Sequence, residues 1–339
     1  MRGGRILYLD VVRLMACCMV VLMHSPMPAT QENSLFLLAL SYMTAPCIGL
    51  FLMVSGALLL PVREDARVFL RRRLGKVLIP ALVWTLFYIV VKSFSDDSVD
   101  ISAIACRVLS VPFSPQGSGV MWFMYTLTGL YIISPVISPW LEDVKKPTLQ
   151  LYLSFWFLTL CFPLLEIVLD VNTGVTGLYY YLSGYVGYFV LGYYLRRYGD
   201  IISLRWCAAL CVLSISAPVV CWWLGLEVDF YRVFWYLSVF VAIMAVFWFV
   251  LLCNRFSTHK SSGLVARTSN LAFGVYLVHI FIMRDWVWTW GWIRDMDNYV
   301  LQVLAIFICT MVISMALCFV ISLLPVGDYL IGYKVDKKS

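Results

Sequence analysis

The first apolar stretch of the chain, Ile6–Pro28, carries three side chains that can do acid–base chemistry: Asp10, Arg13 and His24. An ionisable residue inside a membrane span is costly, so it usually faces a polar cavity or a partner and marks function. At about 100° per residue all three fall on one helix face, with Arg13 and His24 roughly 16 Å apart along the axis. Imidazole titrates near neutral pH, so His24 is a candidate base or transient nucleophile.

Asp10 and Arg13 are expected to pair, because pairing lowers the cost of holding both charges in a membrane. Two interpretations of this pair stay open. It is either a structural ion pair, or part of a polar route that leads along the helix towards His24.

A second cluster is basic: residues 71–76 read RRRLGK and come just before an apolar run. One interpretation is a membrane anchor on the cytoplasmic side. The other is an anion site. Arg73 and Lys76 are three residues apart and share a helix face, so together with Arg72 they could hold phosphates through charge-assisted hydrogen bonds. Coenzyme A thioesters are the phosphorylated acyl donors of the cytoplasm that would suit such a site.

The composition predicts an all-α fold: a polytopic membrane helical bundle. Hydrophobic residues make up 62% of the 339 residues and charged residues 13%, far from the balance of a soluble domain. Apolar windows predict about ten transmembrane helices and one integral membrane domain over residues 1–339, with no separate soluble domain. Ile101 to Val111 is either an extra short helix or a re-entrant one. The windows are 6–27, 35–60, 77–95, 119–140, 149–169, 177–195, 204–224, 232–253, 268–290 and 299–324.

Charge predicts the orientation. With ten spans and a cytoplasmic amino terminus, most of the 25 Lys and Arg residues fall on the cytoplasmic side, as the positive-inside rule requires. Both termini are therefore expected in the cytoplasm, and the net charge of +6 reflects membrane topology rather than nucleic-acid binding. The cysteine spacing indicates neither a disulfide framework nor a zinc site, and the three histidines are too dispersed to predict a metal centre.

Several short elements in a fixed order give a more specific signal. Together they resemble the acyltransferase 3 family of membrane proteins over nearly the whole chain. The sequence departs from that family's pattern at Lys76, which stands where a second arginine is expected, and it has no histidine just before Trp122. The elements are LDVVR at 9–13 with His24, FLMVSG at 51–56, FLRRRLGKVLIPALVW at 69–84, WFMY at 122–125 with GLY at 129–131 and Pro135, residues 184–195, and FGVYLVH at 273–279.

The resemblance implies a membrane acyltransferase of about ten helices. It would move an acyl group, usually acetyl, from acyl-CoA to a hydroxyl of an extracytoplasmic glycan or lipid-linked sugar. Acyl-CoA would be a co-substrate, with no permanently bound cofactor. His24, Asp10 and Arg13 would form the catalytic set. The acyl-CoA site would use Arg72, Arg73 and Lys76, and a possible acceptor or auxiliary site would use Trp122, Tyr125, Glu166 and His279. The expected location is a bacterial plasma (inner) membrane, and a homo-oligomer is possible.

Two other classes of protein stay open at this point. A polytopic transporter could export a glycan or small solute, or could couple transport to protons along the stripe of Asp10, Arg13 and His24. A structural or regulatory membrane subunit would leave that stripe without a role. Consumption of an acyl-CoA thioester distinguishes an enzyme from both.

Overall fold

The computed structural model of the chain describes residues 5–29, 35–95, 101–111, 119–170, 180–199 and 202–335. In this part of the chain the secondary structure is helical, as predicted, with one isolated antiparallel bridge between Ile6 and Lys260. The α-helices are α1 (Leu7–His24), α2 (Leu35–Thr44), α3 (Pro46–Leu59), α4 (Ala66–Ser95), α5 (Ile101–Ser110), α6 (Trp122–Asp143), α7 (Lys146–Thr159), α8 (Phe162–Leu169), α9 (Val186–Tyr198), α10 (Leu204–Trp223), α11 (Phe230–Val233), α12 (Val239–Phe256), α13 (Gly263–Phe281), α14 (Gly291–Arg294), α15 (Tyr299–Leu323) and α16 (Gly327–Ile331).

Among the described residues, seven helical segments are long and apolar enough to cross a membrane, or eight if α7 and α8, bent by 48°, form one broken span. The sequence predicts ten. Two predicted windows contain no segment of this kind. The window 119–140 contains most of α6, whose Thr and Ser residues lower its mean hydropathy. The window 177–195 contains most of α9, which has only 13 residues. The seven segments are Leu7–Ala29, Leu35–Leu59, Ala66–Val91, Leu204–Trp223, Val239–Phe256, Gly263–Thr289 and Tyr299–Leu323.

The Ile101 to Val111 segment contains the ten-residue helix α5. Ten helical residues extend about 15 Å, which is half of a hydrocarbon core of roughly 30 Å. This short helix is therefore not a complete span.

The chain divides into two compact units. The first unit comprises Met1–Met23, Gln31–Pro61 and Ile137–Ser269, and the second comprises His24–Thr30, Val62–Val136 and Asn270–Ser339. By these bounds α1, α6 and α13 contribute residues to both units. The prediction of a single membrane domain over residues 1–339 stays a prediction.

In the first unit, α3 and α9 approach each other through glycines. A Cβ at Gly56 would lie 1.7 Å from the carbonyl oxygen of Phe189, and one at Gly192 would lie 1.9 Å from that of Met53. No side chain fits in either place. Small residues allow such close contacts between membrane helices, and here Gly56 and Gly192 are the residues at the contact.

In the second unit, α16 packs on α4. The indole of Trp84 donates a hydrogen bond of 2.9 Å to the carbonyl of Leu330. Gly332 follows α16 with a φ of +66°, where a Cβ would lie 2.5 Å from the carbonyl oxygen of Lys76. The segment after α15 therefore supports the part of α4 that carries the basic cluster.

Candidate active site

Two histidines meet in the second unit. His24 is the last residue of α1 and His279 lies on α13. Their ring centroids are 5.2 Å apart, with an angle of 57° between the ring planes. The sequence predicts His24 as a catalytic residue and His279 as an auxiliary one, and the structure brings them together. His279 is fully buried.

The hydrogen bonding of His279 indicates which ring nitrogen carries its hydrogen. Nδ1 lies 2.7 Å from the carbonyl oxygen of Tyr276. A carbonyl oxygen only accepts, so Nδ1 donates. In a neutral imidazole Nε2 is then an acceptor, and here it is buried without a hydrogen-bond partner in the described part of the chain. The Tyr276 side chain continues the cluster, since its hydroxyl donates to the carbonyl of Val120 and its ring lies 5.7 Å from that of His279.

Tyr88 of α4 supports α13 next to His279. Its hydroxyl donates to the carbonyl of Leu277 at 2.8 Å and accepts from the amide of Phe281 at 3.3 Å. In a regular α-helix these two backbone groups bond to each other, so Tyr88 is inserted into the hydrogen-bond ladder. A π-helical turn, Ile282–Trp286, follows at once. An inserted side chain is a known cause of such irregularity, and π turns often occur at functional sites.

Sequence reasoning missed Tyr88. The available signal was weak: a tyrosine within an apolar helix needs a hydrogen-bond partner for its hydroxyl when it is buried. That rule predicts that a partner exists and does not identify α13.

Asp10 is buried in the first unit, and its carboxylate accepts hydrogen bonds from two neighbours at 2.6 Å. Arg5 donates from Nε to Oδ2 and from Nη2 to Oδ1. Ser261 donates to Oδ2. Arg13 is more distant, with Nη1 3.9 Å from Oδ1 of Asp10 and 3.2 Å from the hydroxyl of Ser269. The expected contact between Asp10 and Arg13 is thus present, but Arg5 is the closer partner.

The basic cluster lies on α4 in the second unit. Arg72 is ion-paired with Glu64, which offsets part of its charge. Nε of Arg73 is buried and has no hydrogen-bond partner among the residues that the structure describes. Lys76 is exposed. The cluster therefore contains one guanidinium nitrogen that its surroundings leave ready to donate a hydrogen bond.

The predicted acceptor residues Trp122 and Tyr125 are at the start of α6. The Trp122 ring packs edge-on against Phe123 at 6.3 Å, and the Tyr125 hydroxyl donates to the carbonyl of Val111. Tyr125 also lines a cavity of about 340 Å³ between α4 and α6, together with Leu78, Thr85, Thr128 and Gly129. The hydroxyl of Thr128 is buried and has no hydrogen-bond partner.

Glu166 lies in the first unit, on α8. Its carboxylate is ion-paired with Arg232, which links α8 to the short helix α11. This contact accounts for the charge of Glu166.

The sequence model of a family described as an acyltransferase domain matches residues 6–323. The match includes every predicted site residue, from Asp10 to His279. Comparisons with curated proteins and with solved structures give no match.

Proposed function

This chain belongs to the acyltransferase 3 family, and we propose that it transfers an acyl group, acetyl in the first instance, from cytoplasmic acyl-CoA to a hydroxyl of an extracytoplasmic glycan or lipid-linked sugar. Family and helices together establish a multi-pass membrane acyltransferase. The observation that carries the finer proposal is the contact between His24 and the buried His279. A bacterial inner membrane is the proposed location.

We propose that Arg72, Arg73 and Lys76 bind the phosphates of the acyl donor. The buried Nε of Arg73, which lacks a partner, supports this role because a buried donor without an acceptor is destabilising. A phosphate oxygen would supply that acceptor through a charge-assisted hydrogen bond. Lys76 contributes charge but cannot form the bidentate contact of an arginine.

The chemistry is assigned to His24. As a general base it takes the proton of the acceptor hydroxyl while the oxygen attacks the thioester carbonyl. The C–O bond forms, the C–S bond breaks, and the proton passes to the leaving thiolate. As a nucleophile it would first accept the acyl group itself and then pass it on. Both routes need His24 beside the thioester, and the choice between them is open.

We propose that Asp10 and Arg13 act by position rather than by contact with substrate. The carboxylate of Asp10 is engaged by Arg5 and Ser261, and Arg13 is within hydrogen-bond distance of Ser269. These contacts fix the start of α1 within the first unit. His24 ends the same helix.

The decisive experiment is thiol release from acetyl-CoA by the purified full-length protein in liposomes. Wild type is compared with His24→Ala and with His259→Ala, a matched control because His259 is exposed. We expect turnover in wild type and in His259→Ala, no turnover in His24→Ala, and equal acetyl-CoA binding by all three proteins.

Two results would contradict the proposal. Loss of acetyl-CoA binding in His24→Ala would remove the catalytic role of His24. A folded wild type that neither binds nor consumes acetyl-CoA with glycan acceptors present would favour the transporter interpretation, and flux of glycan across the liposome membrane would then be measured.

A further inference from the structure

The strongest unexplained feature of the second unit is Nε2 of His279, a buried atom without a hydrogen-bond partner among the described residues. The imidazole is fully buried, and its one hydrogen is on Nδ1, which donates to Tyr276. Nε2 therefore presents a lone pair to a buried site and has no donor. Leaving a buried acceptor unsatisfied is destabilising. Native structures rarely accept this cost without a reason.

The ring of His24 lies beside His279, and a neutral imidazole carries one N–H. An N–H···N bond of about 2.9 Å between two imidazoles places their ring centroids roughly 5 Å apart. The observed centroid distance between His24 and His279 is 5.2 Å. The separation of the two rings is therefore the one that an N–H···N bond between them requires.

We propose that His279 is a positioning residue for His24, and that its Nε2 accepts a hydrogen bond from a ring N–H of His24 during turnover. This inference rests on the proposed function. The bond fixes the tautomer of His24, so that its other nitrogen is free of hydrogen and faces the acceptor hydroxyl. It is the arrangement of a catalytic base oriented by a third group.

The proton balance is simple when His24 acts as the base. Neutral His24 holds its hydrogen on the nitrogen that faces His279. The other nitrogen takes the proton of the acceptor hydroxyl as the C–O bond forms, and it then gives that proton to the thiolate released from coenzyme A. His279 stays neutral throughout, as a fully buried imidazole should, and stabilises the transient charge on His24.

The surroundings keep His279 in place for this role. The carbonyl of Tyr276 accepts a hydrogen bond from Nδ1 of His279, and the hydroxyl of Tyr276 donates to the carbonyl of Val120. Tyr88 braces α13 on both sides of His279, at Leu277 and at Phe281. Loss of one hydrogen bond to a group that becomes charged during the reaction lowers a rate by about 10–100-fold.

The chain has only three histidines, so selective ¹⁵N-histidine labelling gives a spectrum simple enough to assign with single variants. The full-length protein is measured in lipid bilayers as wild type, His279→Asn and His259→Asn. Asparagine can keep a donor for Tyr276 but offers no acceptor in the place of Nε2. We expect His279 to show the Nδ1–H tautomer, and we expect the His24 signals to shift in His279→Asn and to stay unchanged in His259→Asn. Unchanged His24 signals in both variants would overturn the inference.

Turnover of acetyl-CoA separates positioning from a merely structural role. We expect His279→Asn to lower kcat about 10- to 100-fold with little change in KM for acetyl-CoA. His279→Gln, which can place an oxygen near the position of Nε2, should recover part of the loss. Equal losses in both variants, together with a lower melting temperature, would overturn the positioning role.

The two proposals can fail separately. If wild type consumes acetyl-CoA but the His24 signals do not shift in His279→Asn, the hydrogen bond between the two histidines is overturned and the proposed function is not. If the His24 signals shift in His279→Asn but the protein consumes no thioester, the hydrogen bond is supported and the proposed function is overturned. The two histidines would then have no role in acyl transfer.

Discussion

Arg5 and Asp10 form a bidentate ion pair at the start of α1, with both N–H···O distances at 2.6 Å. Arg5 also donates to the carbonyl of Ala266 at 3.0 Å, and Ser261 donates to Asp10. The segment before α1 is thus tied to the beginning of α13 within the first unit. The observed contacts of Asp10 are with these neighbours, and its predicted catalytic role stays a prediction.

We expect Asp10→Asn to destabilise the protein by about 1–3 kcal/mol, because hydrogen bonds that involve charged groups are worth that much. Arg5→Gln should cost at least as much, because it leaves the carboxylate of Asp10, whose side chain is only 5% exposed, without its closest counter-charge. The measurement is unfolding in detergent of both single variants and the double variant. Additive losses would mean that the two side chains do not interact.

Nε of Arg73 is buried without a hydrogen-bond partner among the described residues, and this leads to a prediction on the binding of the acyl donor. We expect Arg73→Gln to weaken acetyl-CoA binding about 10- to 100-fold, the equivalent of one charge-assisted hydrogen bond. Arg71→Gln is the matched control. It removes the same charge from the same helix, but Arg71 is exposed and lies about 200° round the helix from Arg73.

Calorimetric titration of acetyl-CoA into the three proteins checks this prediction. A modest and equal loss in both variants would show that the cluster acts only as a diffuse positive surface. Normal binding by Arg73→Gln would remove Arg73 from the donor site.

The role of Tyr88 predicts an effect on rate from a residue that touches no substrate. Tyr88→Phe removes the hydroxyl between Leu277 and Phe281 and allows these two backbone groups to bond directly. We expect α13 to tighten, His279 to move, and kcat to fall with little change in KM for acetyl-CoA. Tyr329→Phe, at an exposed tyrosine, is the control. Unchanged kcat in Tyr88→Phe would show that the inserted hydroxyl is irrelevant to catalysis.

Much of this fold is readable from the sequence because long apolar runs in a membrane can hardly form anything but helices. The glycine contact at Gly56 was likewise predictable, since small residues mark close helix contacts. The number of spans was harder to predict. The hydroxyl residues of α6 lower its mean hydropathy, and a helix that packs among others does not need to be uniformly apolar.

The site was only partly predictable. His24 and His279 both stand out as rare imidazoles in apolar segments, but their meeting depends on which faces of α1 and α13 point inward. Periodicity does not reveal this where a helix is apolar all round. The ion pair of Asp10 with Arg5 was missed for another reason. Arg5 lies before α1, where a basic residue is also expected as an ordinary topology signal.

The cavity between α4 and α6 gives a prediction on the acceptor. Its lining is mostly apolar, and Tyr125 contributes to it, so we expect it to hold the hydrocarbon part of a lipid-linked acceptor. A Cβ at Gly129, which lines the cavity, would meet no atom within 4 Å, so an alanine fits at this position without a clash. Gly129→Ala adds one carbon and should stabilise α6 by about 0.5–1 kcal/mol, because alanine is the better helix former.

Gly129→Leu adds about four carbons and should fill part of the space, which makes the two variants a matched pair. We expect the leucine variant to raise KM for a lipid-linked acceptor several-fold, and to leave both acetyl-CoA binding and transfer to a soluble glycan unchanged. The alanine variant should behave as wild type in all three assays. If the leucine variant keeps the wild-type KM for lipid-linked and soluble acceptors alike, the cavity takes no part in acceptor binding. If it slows both acceptors equally, the effect belongs to the packing of α6 and not to recognition of a hydrocarbon chain.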